Sequence, residues 1–569
     1  MMGEKKEKKK NNFIKNIFIV CVIMAISLFV LKVAPNYIRE LDEKVNLIVN
    51  YTDVTDNMKQ EVYIDEKGNI YLSKEDIKNF YDEYIYYDEK YNQIITGSDT
   101  KLVTMVIGEK QKTVNGEKSL MNAEVKEIEG KYYIPFSELE DVYNVNARYI
   151  EESNTVVLDS LDRKLETANS LEKNKVKYKP TYFSKTVDEL EEGEEVYIVQ
   201  TKSDDSESAS KGYIKVRTKS GKLGYVKQDS ISEKVISREE KIENKQIEGK
   251  VSLVWEYFSE YGQAPNRTGT DIEGVNVVSP AFFSLEKLGK GNIIENVGKS
   301  GEQYIEWAHS NGYKVWPIVS NNSFKETTSE IMNDYKLREE LINQIVDKVK
   351  KYNLDGVNID FEYMKAEDKD LFSRFIIELT PRIKELGKVV SVDVTAPDGS
   401  PDWSLCFDRN VLGDVTDYVM FMAYDQHGVS SKEEGTVAGF DWVELNVNKF
   451  LDPDREGVPA EKLVLGIPFY TRLWKENGGE VTSSVVTMKN VEKSIPEGVS
   501  KVWDDTLKQN YIQYEKDGNT YKMWIEDEES IKEKLSLVNK YNLAGSCYWV
   551  KDFETENIWN IIKQELNME

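Results

Sequence analysis

The chain has 569 residues, 40% of them hydrophobic and 11% aromatic, with a formal net charge of -26. That length suits about three or four domains with packed cores and argues against an intrinsically disordered chain. An acidic body repels phosphate backbones, so nucleic acid is excluded as a partner, and the charge is read mainly as an aid to solubility. Two histidines and three cysteines are too few for a His-rich metal site or a disulfide framework, and they leave few candidates for a Ser-His-Asp triad.

The chain opens with a basic run, Lys5, Lys6, Lys8, Lys9, Lys10 and Lys15, against only Glu4 and Glu7. Ile17 to Leu31, IFIVCVIMAISLFVL, follows. With its flanks the apolar stretch is about 18 residues, near the minimum for spanning a bilayer. Positive charge ahead of it orients the N-terminus inward. The continuation VAPNYIRELDEK offers no small-residue cleavage site. Residues 1–35 are therefore expected to be a basic cytoplasmic tail and an uncleaved transmembrane signal anchor. A single-pass protein of a bacterial cell membrane follows, with its body extracytoplasmic. Cys21 lies in the anchor, and Cys406 and Cys547 are expected to remain unpaired.

Residues 50–160 alternate short strands with polar turns. The piece NIYLSKEDIKNFYDEYIYYDEKYNQIITG is echoed by KYYIPFSELEDVYNVNARYIEESNTVVLDS, each reading strand, short helix, strand, strand. Ser73 and Ser137 are the expected helix N-caps. The region resembles the N-terminal domain of copper amine oxidases. It contains no His and no Cys, so the resemblance implies no copper, and a spacer and an adhesion module remain equally open. Residues 161–178 read as a charged linker. Residues 179–235, with EEGEEVYIVQ, GYIKVRT and the closing GKLGYV at Gly221 to Val226, show strand alternation broken by glycine turns. They resemble a bacterial SH3-like β-barrel, which implies possible binding of wall peptides; an inert barrel is the alternative.

From residue 251 to 569 apolar runs alternate with amphipathic helical stretches. VSLVWEYF, VNVVSPAFF, YKVWPIVS, LDGVNIDFEY, VVSVDVTAP, YVMFMAYD, LVLGIPFY and AGSCYWV are eight candidate strands. Strands alternating with helices imply parallel β-α units, and eight of them suggest a closed α/β fold, the (β/α)8 TIM barrel. A small α+β insertion, strand-rich over 475–535, is expected between the seventh and eighth strands.

The informative segment is LDGVNIDFEY, Leu354 to Tyr363. Side chains alternate along a strand, so Val357, Ile359 and Phe361 are expected to face the helices, and Asn358, Asp360 and Glu362 to face inward near the strand's C-terminal end. Inward polar groups are costly unless hydrogen-bonded or functional, and that end of such barrels carries active sites. The segment resembles the DxxDxDxE motif of glycoside hydrolase family 18: Asp355, Asp360 and Glu362 match, and Asn358 replaces the second Asp. MAYD, with Met422, Tyr424 and Asp425, and Trp549 on the eighth strand extend the resemblance over most of 251–569. Within the family the chain is most similar to the bacterial spore and cell-wall N-acetylglucosaminidase branch.

The resemblance implies a substrate-assisted, retaining mechanism, an exception to the two-carboxylate scheme. Glu362 acts as acid and then base, Asp360 orients the substrate acetamido group, and Tyr424 hydrogen-bonds its carbonyl. Asp355, Asn358, Met422, Asp425 and Trp549 bind substrate. Asn358 is expected to donate a hydrogen bond and hold Asp360, and to leave an active enzyme with an altered pH profile. No metal or organic cofactor is implied. The substrate is an N-acetylglucosamine polymer: peptidoglycan first, chitin or its oligomers as the alternative. A non-catalytic lectin-like barrel, or a surface scaffold dominated by its N-terminal domains, stands as the non-enzymatic reading. Trp255, Tyr257, Phe282, Phe283, Trp316, Tyr470 and Trp474 could stack on sugar or fill the core. His427 reads as a loop residue or a substrate contact, and His309 as structural.

Overall fold

The computed structural model describes residues 24, 44–199, 209, 211–241, 246–258, 262–287 and 290–568. The expected anchor, residues 1–35, lies outside these apart from Met24. Among the described residues no helix is long and apolar enough to cross a membrane. The chain divides into two units, Met1–Ser98 with Val103–Glu243, and Asp99–Leu102 with Asn244–Glu569.

In the first unit the echoed segments are structural partners. Strand Ile70–Ser73 pairs antiparallel with Lys131–Pro135, Leu72 opposite Ile134. Each strand leads into a helical turn. Ser73 caps Lys74–Phe80 by accepting from the Asp76 N–H. Ser137 does not cap: it sits inside the 3-10 turn Phe136–Glu138, where its hydroxyl is no longer ahead of the first orphan N–H groups. The unit's second half is a seven-stranded sheet running from Leu165–Asn169 to Val235–Arg238, every pairing antiparallel. Val176, Leu190, Val196, Val216 and Val226 form its core. Two of its strands, Leu165–Asn169 and Asn174–Lys177, come from residues 161–178, which the sequence reading assigned to a linker. The two halves are joined by Arg217, 0% exposed, which clamps both oxygens of Asp159 at 2.6 and 2.7 Å.

The second unit is a parallel barrel. Its strands are β1 (Val251–Glu256), β2 (Val277–Pro280) and β3 (Lys314–Val315, resumed at Ile318–Ser320 past Pro317). They continue as β4 (Gly356–Asp360), β5 (Val389–Val394), β6 (Tyr418–Met422), β7 (Leu463–Pro468) and β8 (Gly545–Trp549). β8 pairs with both β7 and β1, closing the ring. All eight sequence-read strands are present. Strand alternation divides the apolar residues into two cores. Outward Val254, Val278, Val357, Ile359, Val392 and Leu465 meet the helices. Inward Leu253, Trp255, Val277, Trp316, Ile318, Met420 and Val464 fill the lumen. The expected insertion is a five-stranded antiparallel sheet between β7 and β8, spanning Tyr470–Asn477 to Asn519–Ile525, with the short helix Val491–Ser494.

Candidate active site

Phe361 stacks on Phe375 of the helix Lys369–Lys384, ring centroids 5.6 Å apart. With the outward face of β4 anchored in this way, Asn358, Asp360 and Glu362 turn inward. Glu362 lies two residues beyond β4, and its backbone is pinned by Asn321. That amide, 0% exposed, donates to the Glu362 carbonyl at 2.8 Å and accepts from its N–H at 3.0 Å. Asn321 also bonds Thr328 Oγ1, so the acid's main chain is fixed from a neighbouring strand end.

Burial, then the charges of Asp360 and Asp425, push the Glu362 carboxyl up to about 8. Burial lifts Asp360 to about 6. Glu362 therefore keeps its proton at neutral pH, as a general acid must. Asp360 Oδ1 is buried with no hydrogen-bond partner among the described residues. A buried carboxylate oxygen is costly in that condition, and a substrate N–H would relieve it.

Asn358 is 0% exposed, and its whole amide is used inside the protein. Its Nδ2 donates to Asp393 Oδ1 at 2.7 Å and to Ser391 Oγ at 3.1 Å. Its Oδ1 accepts from Trp255 Nε1 at 2.7 Å and Ser279 Oγ at 3.4 Å. One expectation is corrected: Asn358 is sealed in the lumen, and both its N–H groups serve β5 rather than Asp360. Asp355 stands apart from the two carboxyls of the site. It precedes β4, five residues before Asp360, so at about 3.3 Å per residue it lies about 16 Å down the barrel. There it meets His309 Nε2 at 2.9 Å, the Val315 N–H at 3.1 Å and Lys314. His309 is structural, as expected.

Met422 ends β6, buried. Tyr424, partly buried, packs against both cores, and burial pushes its phenol far up. Asp425 stands in left-handed backbone, φ 58°, and accepts from Tyr470 Oη at 2.6 Å. The Tyr424 and Tyr470 rings meet edge to face at 6.4 Å. Trp549 lies 6.0 Å from Trp255 and 6.1 Å from Tyr257, which is 63% exposed. Trp549 at the end of β8 and Tyr257 just past β1 present an aromatic surface over the buried Trp255, suited to a sugar face. Phe282, Phe283, Trp316 and Trp474 are core residues, and Trp474 spends its N–H on the Gly435 carbonyl. His427 bonds the Thr436 carbonyl within its own loop.

Sequence reasoning missed three features. Asn321 acts through its side-chain amide on the main chain of Glu362, a contact between distant residues that leaves no motif. Arg267 ties Glu256 at the end of β1 to Asp552 beyond β8. Although burial acts the other way, Arg267 and Lys551 hold Asp552 down to about 2. Asp393 was legible: in VVSVDV, Ser391 and Asp393 are the polar residues of an alternating strand.

Residues 254–554 match the family described as "Glycosyl hydrolases family 18", and residues 48–158 match "Copper amine oxidase N-terminal domain". The "Uncharacterized glycosylase YvbX" of Bacillus subtilis (strain 168) is 25% identical over 304 residues, 51% of this chain and 84% of that protein. The "Cortical fragment-lytic enzyme" of the same organism is 23% identical over 294 residues, 50% of this chain and 67% of that protein. A crystal structure of chitinase from Chromobacterium violaceum ATCC 12472 aligns with TM-score 0.48 and 22% identity over 56% of this chain and all of that one.

Proposed function

The chain belongs to glycosyl hydrolase family 18 and is a glycoside hydrolase, and from that premise we propose that it cuts β-1,4 bonds at N-acetylglucosamine in cell-wall or spore-cortex peptidoglycan, with retention of configuration. The observation that carries this reading is the pairing of a proton-retaining Glu362 with an inward Asp360 whose Oδ1 awaits a donor.

In the proposed course Glu362 gives its proton to the glycosidic oxygen. The substrate's acetamido oxygen attacks the anomeric carbon as the leaving oxygen departs, giving an oxazolinium ion. Asp360 Oδ1 takes the acetamido N–H and offsets the positive charge. Tyr424 Oη donates to the acetamido oxygen, Asp425 is held by Tyr470 against the ring's hydroxyls, and Trp549 lies under the sugar. Glu362, now ionised, removes a proton from water as it opens the oxazolinium ion, and the acid is restored.

Peptidoglycan is preferred over chitin because a relative acts on cortical fragments by name and because of the N-terminal unit. That unit holds a cavity of about 700 Å³ lined by Tyr51, Tyr178 and Tyr225 together with Asp53, Lys215 and Lys222. Aromatic faces flanked by both charge signs suit a wall peptide bearing amine and carboxylate groups, in keeping with the SH3-like resemblance. Lys5 to Leu31 supports placement on the outer face of a bacterial membrane.

The test is to incubate the full chain and its Glu362→Gln variant with purified peptidoglycan and with chitin oligomers, and to identify products by mass spectrometry. Fragments with reducing N-acetylglucosamine ends are expected from peptidoglycan, and none from the variant. Cleavage of chitin oligomers alone moves the substrate to chitin. No cleavage of either overturns the hydrolase mechanism in favour of sugar binding.

A further inference from the structure

A third carboxyl lies beside the two that the proposed chemistry uses. Asp393, on the inward face of β5, is 2% exposed. Its neighbours come from several walls of the lumen. Asn358 and Asp360 face it from β4, Glu362 from just beyond β4, Tyr424 from beyond β6 and Cys547 from β8. No lysine or arginine is among the groups that act on it.

Three carboxyls in mutual electrostatic reach, buried and without a cation, cannot all ionise near neutral pH. Glu362 holds one proton as the acid. A second must reside on Asp360 or Asp393. The position that would hold it in the DxxDxDxE pattern is an amide here, and an amide neither takes up nor releases a proton in this range. Asn358 instead aims its N–H at Asp393 Oδ1 at 2.7 Å, fixing one Asp393 oxygen as an acceptor and leaving the other to carry hydrogen.

We propose that Asp393 is the proton-holding carboxyl of this site: a positioning residue that carries on β5 the proton that Asn358 cannot carry on β4. In the resting enzyme the proton is shared between Asp360 and Asp393. When the acetamido oxygen attacks and positive charge develops on the substrate, the proton settles on Asp393 and leaves Asp360 anionic against the oxazolinium ion. When water opens that ion the proton returns to the shared position, so the cycle is proton-neutral. Burial, followed by the charges of Asp360 and Glu362, raises the Asp393 carboxyl far above its ordinary value, in accord with this assignment.

The inference deepens the hydrolase reading of the same site and rests on it, so its test has an arm that needs no substrate. Infrared spectra of the full chain in D2O at neutral pD report protonated carboxyls directly. The difference between the wild-type protein and Asp393→Asn should contain one protonated-carboxyl band, whereas Glu526, buried in both proteins, cancels. A difference showing only an ionised carboxylate overturns the proposal, whatever the substrate proves to be. In kinetics, Asp393→Asn should lower kcat by about tenfold or more, change KM by less than about threefold, and move the acid limb of the pH–kcat profile by about one unit or more. The exchange variant Asn358→Asp/Asp393→Asn, which returns a carboxyl to β4, should restore the limb and most of kcat. It also decides the matter if the single variant fails to fold. An unmoved limb in the single variant, or a folded exchange variant without activity, shows Asp393 to be structural.

Discussion

The barrel buries carboxyls in two different ways. Glu378, 1% exposed, is gripped by Arg338, whose Nε and Nη2 reach its two oxygens at 2.8 and 2.9 Å. Glu526, 0% exposed, accepts from Lys534, Ser530 and Gln509. Each has a cation and a full set of donors. Asp393 is as deep, and Asp360 and Glu362 are partly buried beside it; of the three only Asp393 receives the Asn358 amide, and no cation is among the groups that raise them. The first kind of site is matched by a cation and joins one part of the fold to another. The second keeps its protons and holds them ready. Burial alone does not distinguish structure from chemistry; the partner does.

That contrast can be broken from either side. The largest effect is expected for Glu362→Gln, which should lower hydrolysis by about a thousandfold, within the range of a lost general acid, and leave the fold intact by circular dichroism. Next, Glu378→Ala strands Arg338 in the core. It should lower unfolding free energy in urea by about 3–5 kcal/mol while leaving the rate per folded molecule unchanged. A loss of rate at full stability would erase the distinction.

The third effect is a pH dependence. The Glu362 carboxyl is raised by folding from about 4.5 to about 8. The stability linked to its proton is therefore complete below about 4.5 and lost as pH rises through about 8. Thermal melts of wild type and Glu362→Gln should show the variant gaining relative stability between those limits and holding a constant advantage above them. A gap that does not change with pH would place the carboxyl in water. The smallest effect is expected for Asn358→Asp. It adds a fourth carboxyl to the cation-free set, so the pH–rate profile should change shape while kcat stays within about tenfold. An unchanged profile would show that position 358 does not enter the titration.

Much of the barrel was legible because its strands are apolar on both faces and stand out as runs: all eight were marked, and alternation correctly turned Val357, Ile359 and Phe361 outward. Depth along the barrel was not legible from the motif. Asp355 and Glu362 stand seven positions apart in one motif, yet sit at opposite ends of a strand. Asn358 was placed on the right face, but the partner of its amide depends on the register between β4 and β5, where Asn358 lies opposite Ser391. Residues 161–178 passed for a linker because Glu166, Lys175 and Lys177 interrupt the alternation of Leu165–Asn169 and Asn174–Lys177. Those strands are stabilised by partners up to about seventy residues away, such as Val235 opposite Thr167.

The pairing of the echoed strands in the N-terminal unit bears on where that unit can be cut. Ile70–Ser73 is buried along its whole length and takes Lys131–Pro135 as its neighbour on one side. Neither repeat covers its own edge. A fragment ending between them would present an apolar strand with open N–H and C=O groups, a template for association with other chains. The two repeats are therefore expected to fold only when expressed and transplanted together.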